Sequence, residues 1–543
     1  MASITLQRVG KYTYLYESVS YWDRLKKRPD NHKTRIGKID LVTGEPVYAQ
    51  EYLDRLASSG KSVEGLGVWG KGNPAGGTVG RAAAPIRVAS CGVAFLLTHL
   101  AGAVGLRAAL EKCFPDRYAQ MLAAAFYILC EGNVMMYMED WFDEADVPFA
   151  EPMDGQQCSR LFASIEYDER MRFFKEWVRL RSEQEYIAYD VTSVSTASSG
   201  IDIAEWGYNR DGEGLPQVNL GMFYGSESHL PVYYNLYGGS ITDKSHLPFM
   251  MEGASKLGIR KVRFVLDRGF VTEGNLKHMG QKGHKFVTAF PHCLLEAKRL
   301  IDGHKSSIRK AANRIDEFGV YGRPVEIELY GSRLNAHIYF DTEKQAMDEK
   351  ELYAHIGRLE SELKRMGKAK RATKRHTDYF MVEEEKAGRL AFRQDDNKID
   401  DRLGRAGFFI LLTNDGGLSS GEVLGIYRRR DAIEKNFDQL KNGLDFRRLR
   451  THANKTTDGK VFVGFLSLAL RSHMMKKLKE CKTLKRLTLE KIMLELKKIK
   501  SVTYDDSSRA IMPLTKLQRE ILEAMGSSET ELRASIVATG LLA

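Results

Sequence analysis

Three acids stand where chemistry on a phosphate needs them. Asp190 closes the apolar run Tyr186-Ile-Ala-Tyr-Asp190, and Asp267 closes Val262-Arg-Phe-Val-Leu-Asp267. Glu434 stands in a segment of helical periodicity. Acids at strand ends of an open sheet lie where ligand sites form. Taken singly, each reads as well as a strand-end acid bonded to a turn. Together they match the demand of phosphodiester cleavage. An in-line displacement at phosphorus builds negative charge on both the entering and the leaving oxygen, and two divalent ions about 3.5–4 Å apart stabilise both. Mg²⁺ takes oxygen ligands octahedrally and keeps several waters, so a few carboxylates suffice. No cluster of soft ligands accompanies the acids. The expected ions are therefore Mg²⁺, two of them, with Mn²⁺ as a substitute, rather than zinc.

The segment around Glu434 runs Gly425-Ile-Tyr427-Arg-Arg-Arg430-Asp-Ala-Ile-Glu434-Lys-Asn-Phe-Asp-Gln-Leu-Lys441. At about 100° per residue, Ile426, Ile433, Phe437, Leu440 and Leu444 fall within about 60° of one another, a stripe for burial. Tyr427, Arg430, Glu434 and Lys441 cluster as tightly on the neighbouring face. The spacing predicts one continuous helix. It would show an acid for metal beside a guanidinium and an ammonium for phosphate. The plain alternative is an amphipathic surface helix with i,i+4 ion pairs.

The elements that must position these residues follow from patterning. Residues 1–60 read as a small β module, in which Tyr12, Tyr14 and Tyr16 share one strand face. A basic turn follows at Arg24, Lys26, Lys27 and Arg28. This is either a DNA-contacting module or an ordinary hairpin with a solvated tip. Residues 61–84 are a Gly-rich linker, and 85–182 a helical domain for DNA binding or dimerisation. Strand patterns return over 183–290. Residues 291–405 change character: two short strands, a charged helix, then Lys364–Arg375 with seven basic residues in twelve. Residues 406–475 resume the strand-and-helix pattern. Residues 476–543 read as basic and helical, with Leu489, Ile492, Met493, Leu496 and Ile499 as an apolar stripe.

Composition narrows the partners. Lys and Arg total 82 against 71 Asp and Glu, a net charge of +11. That balance favours nucleic acid first and an anionic membrane surface second. The six cysteines are scattered without zinc-like spacing, which reads as reduced thiols in a cytosolic protein. No apolar leader follows Met1. The apolar stretch Gly92–Gly105 is too short to span a bilayer, and Met121–Met138 carries Glu131 and Asn133, so both read as buried helices. Two near-matches to a phosphate loop, at Gly65–Gly72 and Gly60–Ser62, lack the strand–loop–helix context that such a loop needs.

The spacing Tyr427-x2-Arg430-x3-Glu434-x6-Lys441 resembles the Y-R-E-K signature of bacterial insertion-sequence DDE transposases. Asp190-Val-Thr192 and Asp267-Arg268-Gly269 are similar to that family's first and second acid motifs, and Leu215–Asp243 to the segment between them. The resemblance spans roughly residues 180–475. It implies an α/β fold with a ribonuclease H-like core: a five-stranded mixed sheet flanked by helices, split by an insertion domain over 291–405, with N-terminal β and helical modules and a helical C-terminus. It implies that Asp190, Asp267 and Glu434 are the catalytic metal ligands, and that Tyr427, Arg430, Lys441 and Arg268 contact DNA. It implies double-stranded DNA, both transposon ends and target, as the partner of a homodimer in a synaptic complex, with no membrane. The expected location is the bacterial cytoplasm, at the nucleoid. The insertion holds no tryptophan to stack on a flipped base; Tyr321, Tyr330, Tyr339 or Phe340 could stack instead, so a hairpin and another intermediate both stay open. A resolvase-type ribonuclease H-like nuclease and a catalytically inactive transposase-derived DNA-binding protein remain as alternatives.

Overall fold

The computed structural model describes residues 2–9, 12–23, 28–40, 46–58, 85–180, 186–258, 262–366, 372–384 and 390–540. The expected linker, Arg24, Lys26 and Lys27 of the basic turn, and 367–371 of the basic run lie outside the described residues. The chain divides into two units, Met1–Ala84 and Pro85–Ala543.

In the first unit, β1 (Ala2–Val9), β2 (Tyr12–Asp23), β3 (Arg28–Ile39) and β4 (Pro46–Tyr48) pair in chain order as an antiparallel sheet. Strand alternation turns Leu15 and Ile36 inward, where they meet Tyr52 and Leu56 of the helix Gln50–Ser58. Tyr12 and Tyr14 stand on the other face. Their ring centroids are 6.3 Å apart, and the Arg35 guanidinium lies 4.0 Å over the Tyr14 ring.

The second unit opens on β5 (Pro85–Ser90), followed by helices up to Arg179. The strands β6 (Tyr186–Ser195), β7 (Gln217–Gly225), β8 (Pro231–Gly238), β9 (Arg263–Leu266) and β10 (Lys285–Ala289) then lie in the spatial order β8-β7-β6-β9-β10. β7 runs antiparallel to both β6 and β8, whereas β9 runs parallel to β6 and β10 parallel to β9. β6 and β7 are apolar-rich and buried on both faces, as central strands covered by helices must be.

The sheet does not stop at the expected five strands. β11 (Arg314–Ile315), β12 (Val320–Leu329) and β13 (Ser332–Phe340) are followed by the hairpin β14 (Phe380–Glu384) and β15 (Leu390–Gln394), then by β16 (Phe408–Thr413). β16 pairs antiparallel with β10, and β13, β12 and β11 follow in turn, which makes nine strands. The reason is the open edge of β10, whose unpaired backbone groups need partners. β16, just beyond the 291–405 segment, supplies them, and β13 from within that segment then pairs on β16. What stands beside the sheet is smaller: the helices Thr342–Arg365 and Asp396–Leu403 and the β14–β15 hairpin, around Ile356, Leu359, Leu363, Tyr379, Phe380 and Ile399.

The C-terminal stretch also departs from the all-helical expectation. β17 (Lys500–Tyr504) pairs with β5 on one side and β18 (Arg509–Ile511) on the other. These strands are short and sit among helices, where a period of two has no room to show. The expected stripe Leu489, Ile492, Met493, Leu496 and Ile499 is buried. The helices Gly92–Ala103 and Tyr118–Glu131 pack on the long helix Asn454–Glu480. Among the described residues no single helix is long and apolar enough to cross a membrane.

Candidate active site

Strand register brings the first two acids together. Ala188 of β6 pairs with Val265 of the parallel β9. Asp190 and Asp267 each stand two residues further on, so they lie side by side and share a face of adjacent strands. The side chain of Asp190 is only 13% exposed. Burial lifts its pKa to about 6, against the pull of Arg210, the Val191 N–H and Arg430, and with a further push from Asp267. The Val191 N–H donates to Asp190 Oδ1 at 2.8 Å. Asp267 and Glu434 are open to solvent.

The third acid reaches the same place from a helix, though not from one continuous helix. Ser420–Arg428 is one helix, Asp431–Asp438 the next, and Gln439–Gly443 a π turn. At the junction the Arg430 N–H donates to Tyr427 O and the Ile433 N–H to Arg430 O. These i→i+3 bonds tighten the backbone and interrupt the α-helical ladder. The apolar stripe survives the break, since Ile426, Ile433, Phe437, Leu440 and Leu444 are all buried. The helix Asp431–Asp438 packs against β6, the strand that carries Asp190.

Arg430 is the hub. Its side chain is 12% exposed, with Nη2 2.8 Å from Glu434 Oε1 and Nη1 3.8 Å from Asp267 Oδ1. Burial opposes its charge, yet Tyr427, Asp267, Glu434 and Asp190 together push its pKa up. Its guanidinium carbon lies 5.4 Å from the Tyr427 ring centroid. Burial, the largest cause, raises the Tyr427 pKa to about 12. One guanidinium thus stands among three carboxylates. Two exposed acids converge on it, and burial holds the pKa of the third above the usual carboxylate range.

Lys441 is placed differently. Its side chain is buried, and Nζ pairs with Asp211 Oδ2 at 2.5 Å. Arg268 is exposed and lines a neighbouring cleft. Three residues that sequence reasoning missed belong to the site. Arg210 lies 3.8 Å from Asp190 and 2.6 Å from Asp243, and Asp211 takes Lys441. Arg210 and Asp211 sit in the β6–β7 connection, a stretch rich in Gly, Asn and Asp whose only local signal is that of a turn.

A family model for the transposase DDE domain matches residues 181–470, more than half of the chain. The chain belongs to that family. The transposase is accordingly a DNA-acting protein, of a family that cleaves DNA and transfers its strands. The matched region takes in every strand from β6 to β16 and all three acids. Among solved structures, a cryo-EM structure of a piggyBac transposase synaptic complex with hairpin DNA is similar at 10% identity, over 78% of this chain and 75% of that one. The TM-score is 0.35, a likeness too loose to carry an argument. No curated protein matches.

Asp190, Asp267 and Glu434 offer the transposase hard oxygen donors only. Among the described residues no three Asp, Glu, His or Cys side chains gather closely enough to form a ready metal cluster. The carboxylates instead crowd around Arg430, so the place demands positive charge, and the donor set is the kind that hard divalent ions accept.

Proposed function

We propose that this transposase binds the terminal inverted repeats of a bacterial insertion sequence and cuts and rejoins DNA at its ends, using Asp190, Asp267 and Glu434. The observation that carries the reading is the pairing of Ala188 with Val265. It sets two acids on neighbouring parallel strands, and Arg430 ties one of them to Glu434. The order β8-β7-β6-β9-β10, three antiparallel strands followed by two parallel ones, supports a ribonuclease H-like core.

In this reading the three carboxylates would hold Mg²⁺, or Mn²⁺ in its place. Two such ions supply charge stabilisation to the entering and leaving oxygens of phosphate. The chain's own residues do the rest. Arg430 gives up its carboxylates and turns its guanidinium to a phosphate, for which its planar fork is suited. Tyr427, half-buried under that guanidinium, keeps it oriented. Lys441 adds a second cation for the backbone once released from Asp211. Arg268, exposed next to Asp267 in the chain, contacts DNA as well. A homodimer, bacterial and cytoplasmic at the nucleoid, would bring two ends together.

The test is strand nicking and joining on a labelled fragment with the element's own end, comparing wild type with Glu434→Gln in Mg²⁺. The variant is expected to bind the end within about twofold of wild type and to cut it at least about a hundredfold more slowly. Equal cutting by both would remove Glu434 from the site. Binding without cutting by either, in Mg²⁺ and in Mn²⁺, would favour a catalytically inactive descendant.

A further inference from the structure

A cleft of about 1000 Å³ opens beside the proposed site, between the end of β9 and the helices Thr342–Arg365 and Asp396–Leu403. Arg268 lines it, and Arg268 follows Asp267 directly, so the cleft starts one residue away from a proposed catalytic acid. Seven Lys and Arg side chains face three Asp across it. All three acids are already taken from within the wall. Asp348 pairs with Lys344 at 2.6 Å, Asp378 with Arg402 at 3.7 Å and Asp401 with Arg405 at 2.6 Å. Arg268, Lys298 and Lys374 have no carboxylate partner among the described residues.

Like charges set around a concave wall repel one another, and folding gains nothing from them. Such a wall focuses the field and gathers a polyanion. We propose that the cleft holds the sugar–phosphate backbone of the target duplex into which the cut end is joined, an inference that rests on the transposase reading above. One argument chooses the target over the element's own end: the lining offers charge with a single carboxamide, Asn397. Phosphate contacts position DNA, whereas base contacts specify its sequence. A wall built for phosphate suits DNA of varied sequence, while a terminal repeat must be read.

The test uses the full chain with two double variants, Lys298→Glu/Lys374→Glu and the milder Lys298→Gln/Lys374→Gln. Three quantities are measured: cleavage of a fragment carrying the element's end, transfer of a pre-cut end into plasmid, and binding of an end-free duplex across a salt series. Transfer is expected to fall about tenfold or more, cleavage to stay within about twofold, and the slope of log Kobs against log salt to lose about 2, close to one for each phosphate contact removed. Unchanged transfer with an unchanged slope overturns the proposal. Equal losses of cleavage and transfer in the Gln pair also overturn it, because the cleft would then grip the element's end. If wild type neither cuts nor joins, the catalytic reading fails by itself. The salt slope then still decides: a lowered slope supports duplex binding in the cleft, and an unchanged one refutes it.

Discussion

The Lys441 ammonium lies 2.5 Å from the Asp211 carboxylate, across 230 positions of chain. The neighbouring Arg210 reaches Asp190 and Asp243 from the same connection, and Glu213 lies 3.4 Å from Arg448. One loop therefore engages both a proposed catalytic acid and a proposed phosphate-binding cation. DNA must compete with Asp211 for Lys441.

Removing that competitor has a defined outcome. Asp211→Asn is expected to bind a terminal-repeat duplex about three- to tenfold tighter, as a cation is freed for phosphate. It should also melt lower. Removing one partner of a fully buried pair costs about 3–5 kcal/mol. Asp211 is 27% exposed, so a loss of about 1–2 kcal/mol is expected here after solvent screening. A duplex titration and a thermal melt check both. Weaker binding would show that Asp211 positions Lys441 and does not mask it.

Acid should destabilise the fold through His337. This side chain is buried on β13, with Nδ1 2.9 Å from the Ser420 hydroxyl at the start of the helix that carries Tyr427. Burial pulls its pKa down to about 4. The unfolded chain takes up a proton near pH 6.5 while the folded chain stays neutral. Stability is therefore full above about pH 6.5 and falls as pH drops towards 4, by up to about 1.4 kcal/mol per unit. His246, whose pKa burial also lowers to about 4, adds a similar slope. His337→Gln should lose the His337 share of that slope and keep the shares of His246, His284, His292 and His355, whose pKa values burial also lowers. Urea titrations at pH 7.5 and 5 measure the difference, and an undiminished slope would exclude His337 as a source.

Helix packing behind the sheet gives a prediction without charge. The helix Asn454–Glu480 crosses Gly155–Ala163 so closely that a Cβ at Gly459 would lie 2.0 Å from the Phe162 carbonyl oxygen. The obstacle is backbone, which cannot rotate aside. Gly459→Ala is expected to cost about 3 kcal/mol, the upper end for overpacking. Chemical denaturation reads this directly, and a neutral result would mean that the two helices part freely.

Much of the site was legible because its signals are local. Asp267 follows the end of β9 as its apolar run predicts, whereas β6 continues past Asp190 to Ser195 and leaves that acid in mid-strand; strand periodicity still sets which face each acid takes. The stripe Ile426, Ile433, Phe437, Leu440 and Leu444 followed from helical spacing, and burial respects it even across the break at Arg430. That break was not legible, since its i→i+3 bonds form where Arg430 leaves solvent to meet Asp267 and Glu434. Nor was the nine-stranded sheet. β12 and β13 were visible as strands, but a strand's own residues do not name its partner.

By itself the sequence determined the types of residue available for chemistry, the faces on which they fall and the order of the elements. Each of these depends on neighbours a few positions apart. Only the tertiary structure decided that β16 closes the edge of β10, that Asp211 rather than a phosphate holds Lys441, and that Arg268 faces a cleft while Asp267 faces Arg430. Those outcomes depend on pairings between groups more than a hundred positions apart. Backbone hydrogen-bond demand and the electrostatics of partly buried charge select them only once the chain has closed on itself.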